Sequence, residues 1–261
     1  MKNKRKPILR DEDGVAHVLG LSGGKDSTAL AIVMAEQFPE LPMNYLCTPT
    51  GNELPEMRQH WDRLEDILGQ KIIHLTARRR KGGRVTLSSL IEDFGSLPNH
   101  RQRWCTRILK IQTAREFMHL AEPAVLYVGL RADEPERRGI YGGGVDSRFP
   151  LRELGMGKAD VLALLSDRGI CVPRRTDCAW CYEQRLIEWK FLLDEHPKLY
   201  EEACQHEDRT GHTFRSPSRD KWPAGLRALA QEFESGRKVR GEQAYREKLE
   251  RGEEVCRVCR L

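Results

Sequence analysis

The sequence predicts an α/β protein built on a doubly wound, mostly parallel sheet, followed by a helical, cysteine-bearing region. Three observations carry this reading. Short apolar runs at residues 18–21, 43–47, 72–75 and 125–130 read as buried strands. Helical periodicity fills the intervals, with Leu30, Val33, Met34 and Phe38 on one face and Met57, Trp61, Leu64, Ile67 and Leu68 on another. Between the first strand and the first helix lies Ser22-Gly23-Gly24, a turn with two residues that tolerate positive φ.

Composition sets the limits. The chain has 261 residues, 32% charged and 39% hydrophobic, with a net charge of +5. That length suits one large α/β unit plus an appendage, and the expected division is 1–170 for the α/β domain and 171–261 for the cysteine-bearing helical region. No apolar run approaches the roughly 18–20 residues a membrane span needs. The basic start, Met1-Lys2-Asn3-Lys4-Arg5-Lys6, lacks the apolar segment of a signal peptide, so a cytoplasmic location and no membrane partner are expected. Eight cysteines in a reducing compartment point to metal, cluster or redox chemistry before disulfides.

The elements follow in order. The first helix starts at Lys25, a turn spans 39–42, and the second strand at 43–47 runs into Thr48-Pro49-Thr50-Gly51-Asn52-Glu53. A helix over 56–68, a third strand at 72–75 and a helix over 87–94 come next. The strand at 125–130 ends in Arg131, with Arg137 and Arg138 beyond. Residues 184–204 read as helices interrupted at His196-Pro197, 209–223 as a loop, and 226–233 as a helix broken by Gly236 and Gly241.

A strand, a glycine turn and a helix N-terminus leave several backbone N–H groups converging on one point. The helix dipole and Lys25 add positive charge there, and Ser22 and Ser27 can donate to anionic oxygens. Such a site suits a phosphate. It departs from the Walker loop, which needs G-x-x-x-x-G-K-[ST]. Ser22-Gly23-Gly24-Lys25-Asp26-Ser27 instead resembles the pyrophosphate loop of the adenine nucleotide alpha-hydrolase superfamily, whose members act at the α-phosphate.

Further motifs sharpen the likeness. Thr50-Gly51-x-Glu53-x-Pro55-Glu56, Trp104-Cys105-Thr106-x-x-Leu109-Lys110-Ile111 and Gly129-Leu130-Arg131-x-x-Glu134-x-x-Arg137 follow the loop in that order. Pro150-Leu151 and Ala159-Asp160-Val161 come after them. Together they resemble the phosphoadenosine phosphosulfate reductase family over roughly residues 15–205. Its relatives include assimilatory reductases and the nucleotide-activating subunit of DNA phosphorothioation systems. The resemblance implies nucleotide-holding roles for Ser22, Gly23, Gly24, Lys25, Asp26, Ser27, Gly51, Glu53, Gly129, Arg131 and Arg137. Lys25, Asp26 and Arg131 would be catalytic, with Lys25 and Arg131 stabilising charge on the departing group. The ligand implied is ATP with Mg²⁺, or phosphoadenosine phosphosulfate. A sulfur donor such as a cysteine desulfurase, or a thiol reductant, would be the partner.

The chain also departs from the reductases. It has one cysteine, Cys105, where cluster-bearing members have two, and its tail holds Cys256 and Cys259 in place of a Glu-Cys-Gly end. The likeness is therefore closer to the phosphorothioation-like branch. Cys178-Ala179-Trp180-Cys181 has the spacing of a metal or cluster site. By family likeness Cys105, Cys178 and Cys181 with a fourth ligand suit a [4Fe–4S] cluster. The rival is zinc held by Cys178, Cys181, Cys256 and Cys259. Three functions stay open: sulfur transfer after adenylation, a sulfonucleotide reductase with Cys259 as nucleophile, and a non-catalytic nucleotide- or nucleic-acid-binding module with structural zinc.

The remaining candidates are weaker. Cys47 reads as a buried hydrophobe, while Cys204 and Cys171, the latter near an expected strand, read as core residues with the fourth ligand of a metal site as the alternative for either. His196, His206 and His212 read as surface or capping residues. The basic run at 78–84 reads equally as a solvated loop or as a contact for nucleic acid.

Overall fold

The computed structural model describes residues 7–80, 82–137, 145–173 and 178–250, with side chains to 247. Five strands form one parallel sheet: β1 (Ala16–Gly20), β2 (Met43–Cys47), β3 (Ile73–His74), β4 (Ala124–Tyr127) and β5 (Asp146–Arg148), in the order β3-β2-β1-β4-β5. Helix α1 (Lys25–Gln37) joins β1 to β2, and α2 (Pro55–Leu68) joins β2 to β3. The chain then crosses back over β1 to add β4 on its other side. The order thus reverses between β1 and β4, and a crevice opens there at the strands' carboxyl ends.

Period-two alternation assigns the two faces. Leu19, Met43, Tyr45, Cys47 and Tyr127 join a core with α1, α2 and α6 (Lys158–Asp167). Val18, Leu46 and Leu126 face the other way, against Ala114, Phe117, Met118 and Ala121 of α4 (Thr113–Ala121). Both faces are covered, which is why the strands read as near-continuous apolar runs.

A second core lies beside the sheet. It unites α3 (Leu87–Phe94) with α7 (Leu186–Glu195), α8 (Pro197–Thr210) and α9 (Leu226–Glu234) around Trp180, Trp189 and Phe214. Leu109 enters it from the π-helical segment Thr106–Gln112, and Trp104 from two residues before that segment. Short α5 (Pro150–Glu153) precedes α6, and α10 (Glu242–Glu250) is the last described element.

Several expectations are corrected. The fourth strand stops at Tyr127, because the chain turns to bring Gly129 against α1. The three-residue β5, Asp-Ser-Arg, has no apolar signal and pairs only as an edge strand. Cys171 is exposed in the turn after α6 and meets neither a strand nor a core. His206 is buried, not superficial: it stacks on Trp180 and its Nε2 lies 3.1 Å from Ser88 Oγ.

Candidate functional site

The Ser22–Ser27 loop is held by its own helix and by α2. Thr28 N donates to Gly24 O at 2.8 Å, opening α1, while Ser27 Oγ donates to the same carbonyl at 3.1 Å and meets Ser22 Oγ at 3.0 Å. Gly23 has φ +84°, and a Cβ there would fall 2.3 Å from Met57 Cε and 2.8 Å from Trp61 Nε1. Trp61 Nε1 also donates to Ser22 O at 3.3 Å. One face of α2 therefore buttresses the loop. His60 belongs to that face, hydrogen-bonded to the Gly23 backbone. Burial, aided by the charge of Arg63, pushes its pKa down to about 4, so the imidazole is neutral.

Behind the loop lies a buried ion cluster. Arg131 Nη1 donates to both oxygens of Asp26 at 3.0 Å, Nε to Asp133 at 2.8 Å, and Nη2 pairs with Glu134 at 3.3 Å. Burial works against the Arg131 charge, but the bonds to Asp133 and Asp26 outweigh it and raise its pKa. Lys25 Nζ lies 3.4 Å from Asp26 Oδ2, with its side chain 12% exposed. Asp26 and Arg131 thus tie the first turn of α1 to the loop after β4. Gly129 makes that approach feasible: a Cβ there would sit 2.8 Å from Asp26 O.

A cavity of about 140 Å³ opens in the crevice. Its walls include Ser22, Asp26 and Ser27 of the loop, Gly129 and Arg137 beyond β4, and Cys47, Thr50 and Glu53 after β2. Lys110 and Ile111 of the π-helical segment and the thiol-bearing Cys178 complete it. Lys25 lies beside this cavity rather than on its wall. Arg137 is on the wall, with Nη1 on Glu134 at 3.2 Å and a buried Nε that has no partner among the described residues.

Glu53 shapes this wall by spending its carboxylate internally. It accepts from Thr50 N, from Thr50 Oγ1 at 2.7 Å and from Gly51 N at 3.1 Å. Gly51, at φ +85°, abuts Thr86, where a Cβ would fall 2.7 Å from Cγ2. The same loop pairs with the thiol segment: Glu53 bridges Cys178 antiparallel, and Ala179 N donates to Asn52 O at 2.7 Å.

Cys105, Cys178 and Cys181 come together. The Cys178 thiol is pushed up by its hydrogen bond with Cys181, by burial and by the nearby sulfur of Cys105, while Lys110 pulls it down. Burial and Cys181 likewise raise Cys105, again against Lys110. Cys178 and Cys105 are therefore held as thiols, and a bound cation would favour their ionised forms. Asn52 Nδ2 and Trp104 Nε1, buried and without partners among the described residues, are spare donors on the adjoining segments. Three cysteines brought together from two segments form a donor set of the kind that holds a metal ion or a cluster. Cys256 and Cys259 lie outside the described residues.

Lys110 is the wall residue that sequence reasoning passed over as one more basic side chain. Its signal was position: four residues after Thr106 on a helix whose wide turns bring it to the cavity.

Five parallel strands in this order, with a glycine loop at the reversal point, define an adenine nucleotide alpha-hydrolase fold with a helical C-terminal region. Residues 16–140 match the family model described as the phosphoadenosine phosphosulfate reductase domain, so strands β1 to β4, the Ser22–Ser27 loop and the π-helical segment are similar to that domain family. No curated protein matches the chain. Among solved structures, a phosphoadenylyl-sulfate reductase from Candida auris in a phosphate complex is 13% identical, over 64% of this chain and 75% of that one, with a TM-score of 0.47. The U34-tRNA thiolase NcsA of Methanococcus maripaludis with its [4Fe–4S] cluster is 15% identical, over 99% and 78%, at 0.43. NMN synthetase from Francisella tularensis is 18% identical, over 89% and 82%, at 0.37.

Proposed function

We propose that this protein is an enzyme that binds an adenine nucleotide at the phosphate loop and couples it to sulfur chemistry at the adjoining thiols. The observation that carries the reading is the shared cavity: Ser22 and Ser27 line one end of its wall, and Cys178 another. Loop amides, the α1 dipole and Lys25 would draw negative charge onto the phosphate that is being released. Arg137 is the cavity-facing arginine, and we assign it contact with the α-phosphate or sulfate. Arg131 is a positioning residue, since its guanidinium is engaged by Asp26, Asp133 and Glu134.

The two nucleotides make different demands. With ATP, an acceptor oxygen would displace pyrophosphate from the α-phosphorus, and Mg²⁺ bound with the nucleotide would supply neutralisation of its phosphate charge. With a sulfonucleotide, a thiolate attacks the sulfate sulfur and the nucleotide phosphate leaves; Cys259 is the candidate there. The single cysteine at 105, next to Trp104, favours ATP and the phosphorothioation-like branch. A [4Fe–4S] cluster on Cys105, Cys178 and Cys181 would supply a site for inorganic sulfur or electrons. Zinc, with Cys256 as a further ligand, would be structural.

Calorimetry with ATP and with phosphoadenosine phosphosulfate on anaerobically purified protein tests the reading. One nucleotide should bind, and Lys25→Met should weaken it about tenfold or more, an ammonium–phosphate contact being worth about 1.5–3 kcal/mol. Binding of neither nucleotide would overturn it. Iron analysis and electron paramagnetic resonance of the same sample separate cluster from zinc.

A further inference from the structure

The basic run resolves into a short hairpin. Val85 N donates to Ala77 O at 2.8 Å and Arg79 N to Gly83 O at 3.1 Å, so Arg78 and Arg84 face each other across the two strands. Gly82 and Gly83, at φ +90° and +91°, turn the tip. Alternation sends Arg79 the opposite way, onto both oxygens of Asp93 in α3 at 2.9 and 2.7 Å. That ion pair anchors one face of the hairpin to the body of the protein.

The other face is left with like charges in register. Arg78, Arg80 and Arg84 are exposed and make no ion pair or hydrogen bond with any described side chain. Other arginines among the described residues are held in ion pairs, among them Arg131, Arg148, Arg168, Arg215 and Arg227. Directly opposed like charges destabilise a strand pair, so this arrangement gives the fold nothing. It makes sense as a set of guanidinium forks awaiting phosphates.

We propose that this hairpin docks duplex DNA. A two-stranded ribbon fits the B-form major groove, whereas the A-form groove of duplex RNA is too narrow to admit it. Residues 77–85 carry no aromatic side chain, so they offer no stacking platform for single strands. The hairpin's base also adjoins the nucleotide cavity. Val85 leads directly into Thr86, which abuts Gly51, and Leu87 N donates to the carbonyl of Thr50 on the cavity wall at 2.9 Å. DNA held there would lie at the mouth of the proposed active site. The docking surface stands apart from the nucleotide assignment, because protein that binds duplex but no adenine nucleotide would sink the latter alone.

Fluorescence anisotropy of the full-length protein against a labelled duplex of about 20 base pairs, with matched single-stranded DNA and duplex RNA, provides the test. The triple variant R78E/R80E/R84E should lose about tenfold or more in duplex affinity, and the slope of log K against log salt should shrink by about three. R58E/R115E/R240E, with the same charge change at exposed sites elsewhere, should stay within about threefold of wild type. Thermal melting checks that both variants fold. Equal losses in the two variants would reduce the effect to net charge and overturn the proposal. So would an unchanged affinity in the hairpin variant, or tighter binding of single strands or duplex RNA.

Discussion

At the scale of single residues, the site depends on places where a side chain would not fit. Gly129 is the sharpest, because its neighbours are backbone atoms: Asp26 O, Asp26 C and Ser27 N lie 2.8, 2.9 and 3.1 Å from where a Cβ would be. Backbone at a helix N-terminus cannot swing aside as a methionine can. Gly129→Ala should push the loop after β4 away from α1, stretching the Arg131–Asp26 pair and distorting the amides that would meet phosphate. Overpacking of this kind costs about 1–3 kcal/mol. Denaturant melts should register that loss, and nucleotide affinity should fall with it. Gly23→Ala tests a softer contact, since Met57 Cε can move, and its loss of stability should shrink in a Met57→Ala background. Arg131 and Arg137 show why residue type alone under-specifies a role. Both follow the same strand in the same motif, yet one is enclosed by carboxylates and the other lines the cavity.

At the scale of elements, the helical region has its own electrostatic keystone. Glu207 of α8 accepts from Phe214 N at 2.8 Å and from Leu226 N at 2.6 Å, capping α9 from another helix. Burial nevertheless dominates and raises its pKa to about 7. In the unfolded chain it ionises near 4.5. Below that pH both states are protonated and the contribution is complete; between there and 7 only the unfolded chain ionises. Stability therefore falls as pH rises through this window, by about 3 kcal/mol in all. Glu207→Gln keeps an acceptor and removes the titration, so wild-type minus variant stability, measured by urea denaturation, should slope downward from pH 4.5 to 7. A flat difference would refute the assignment. Elements with strong periodicity were legible from sequence: β2 and α3 have the predicted bounds, and the break at His196-Pro197 separates α7 from α8. The π-helical segment was not, because wide turns follow no 3.6-residue pattern and its charged face masks the buried Leu109. Nor was β5, whose three polar residues gain strand geometry only by pairing with β4.

At the scale of the whole molecule, the cavity lies where the sheet and the second core meet. The loop after β2 belongs to both: Cys47 joins the sheet core, Leu54 the other, and Asn52 and Glu53 pair with Cys178 and Ala179. Sequence reading singled out the glycine loop and the Cys178–Cys181 pair, because each is local in the chain. It could not find their junction, which depends on Cys178 returning to a loop more than a hundred residues earlier. That junction makes one prediction that neither half makes alone. If a nucleotide fills the cavity, it must also screen Cys178. In metal-free protein, alkylation of Cys178 by iodoacetamide should slow about fivefold or more on saturation with the nucleotide that binds, as expected when a ligand shares a wall with the thiol. Cys171, exposed in the turn after α6, is the internal reference and should react at an unchanged rate. Peptide mass spectrometry reads both sites in one sample. Protection of Cys178 that disappears in Lys25→Met would tie thiol and phosphate loop to a single ligand, whereas undiminished labelling at saturation would separate them into independent sites.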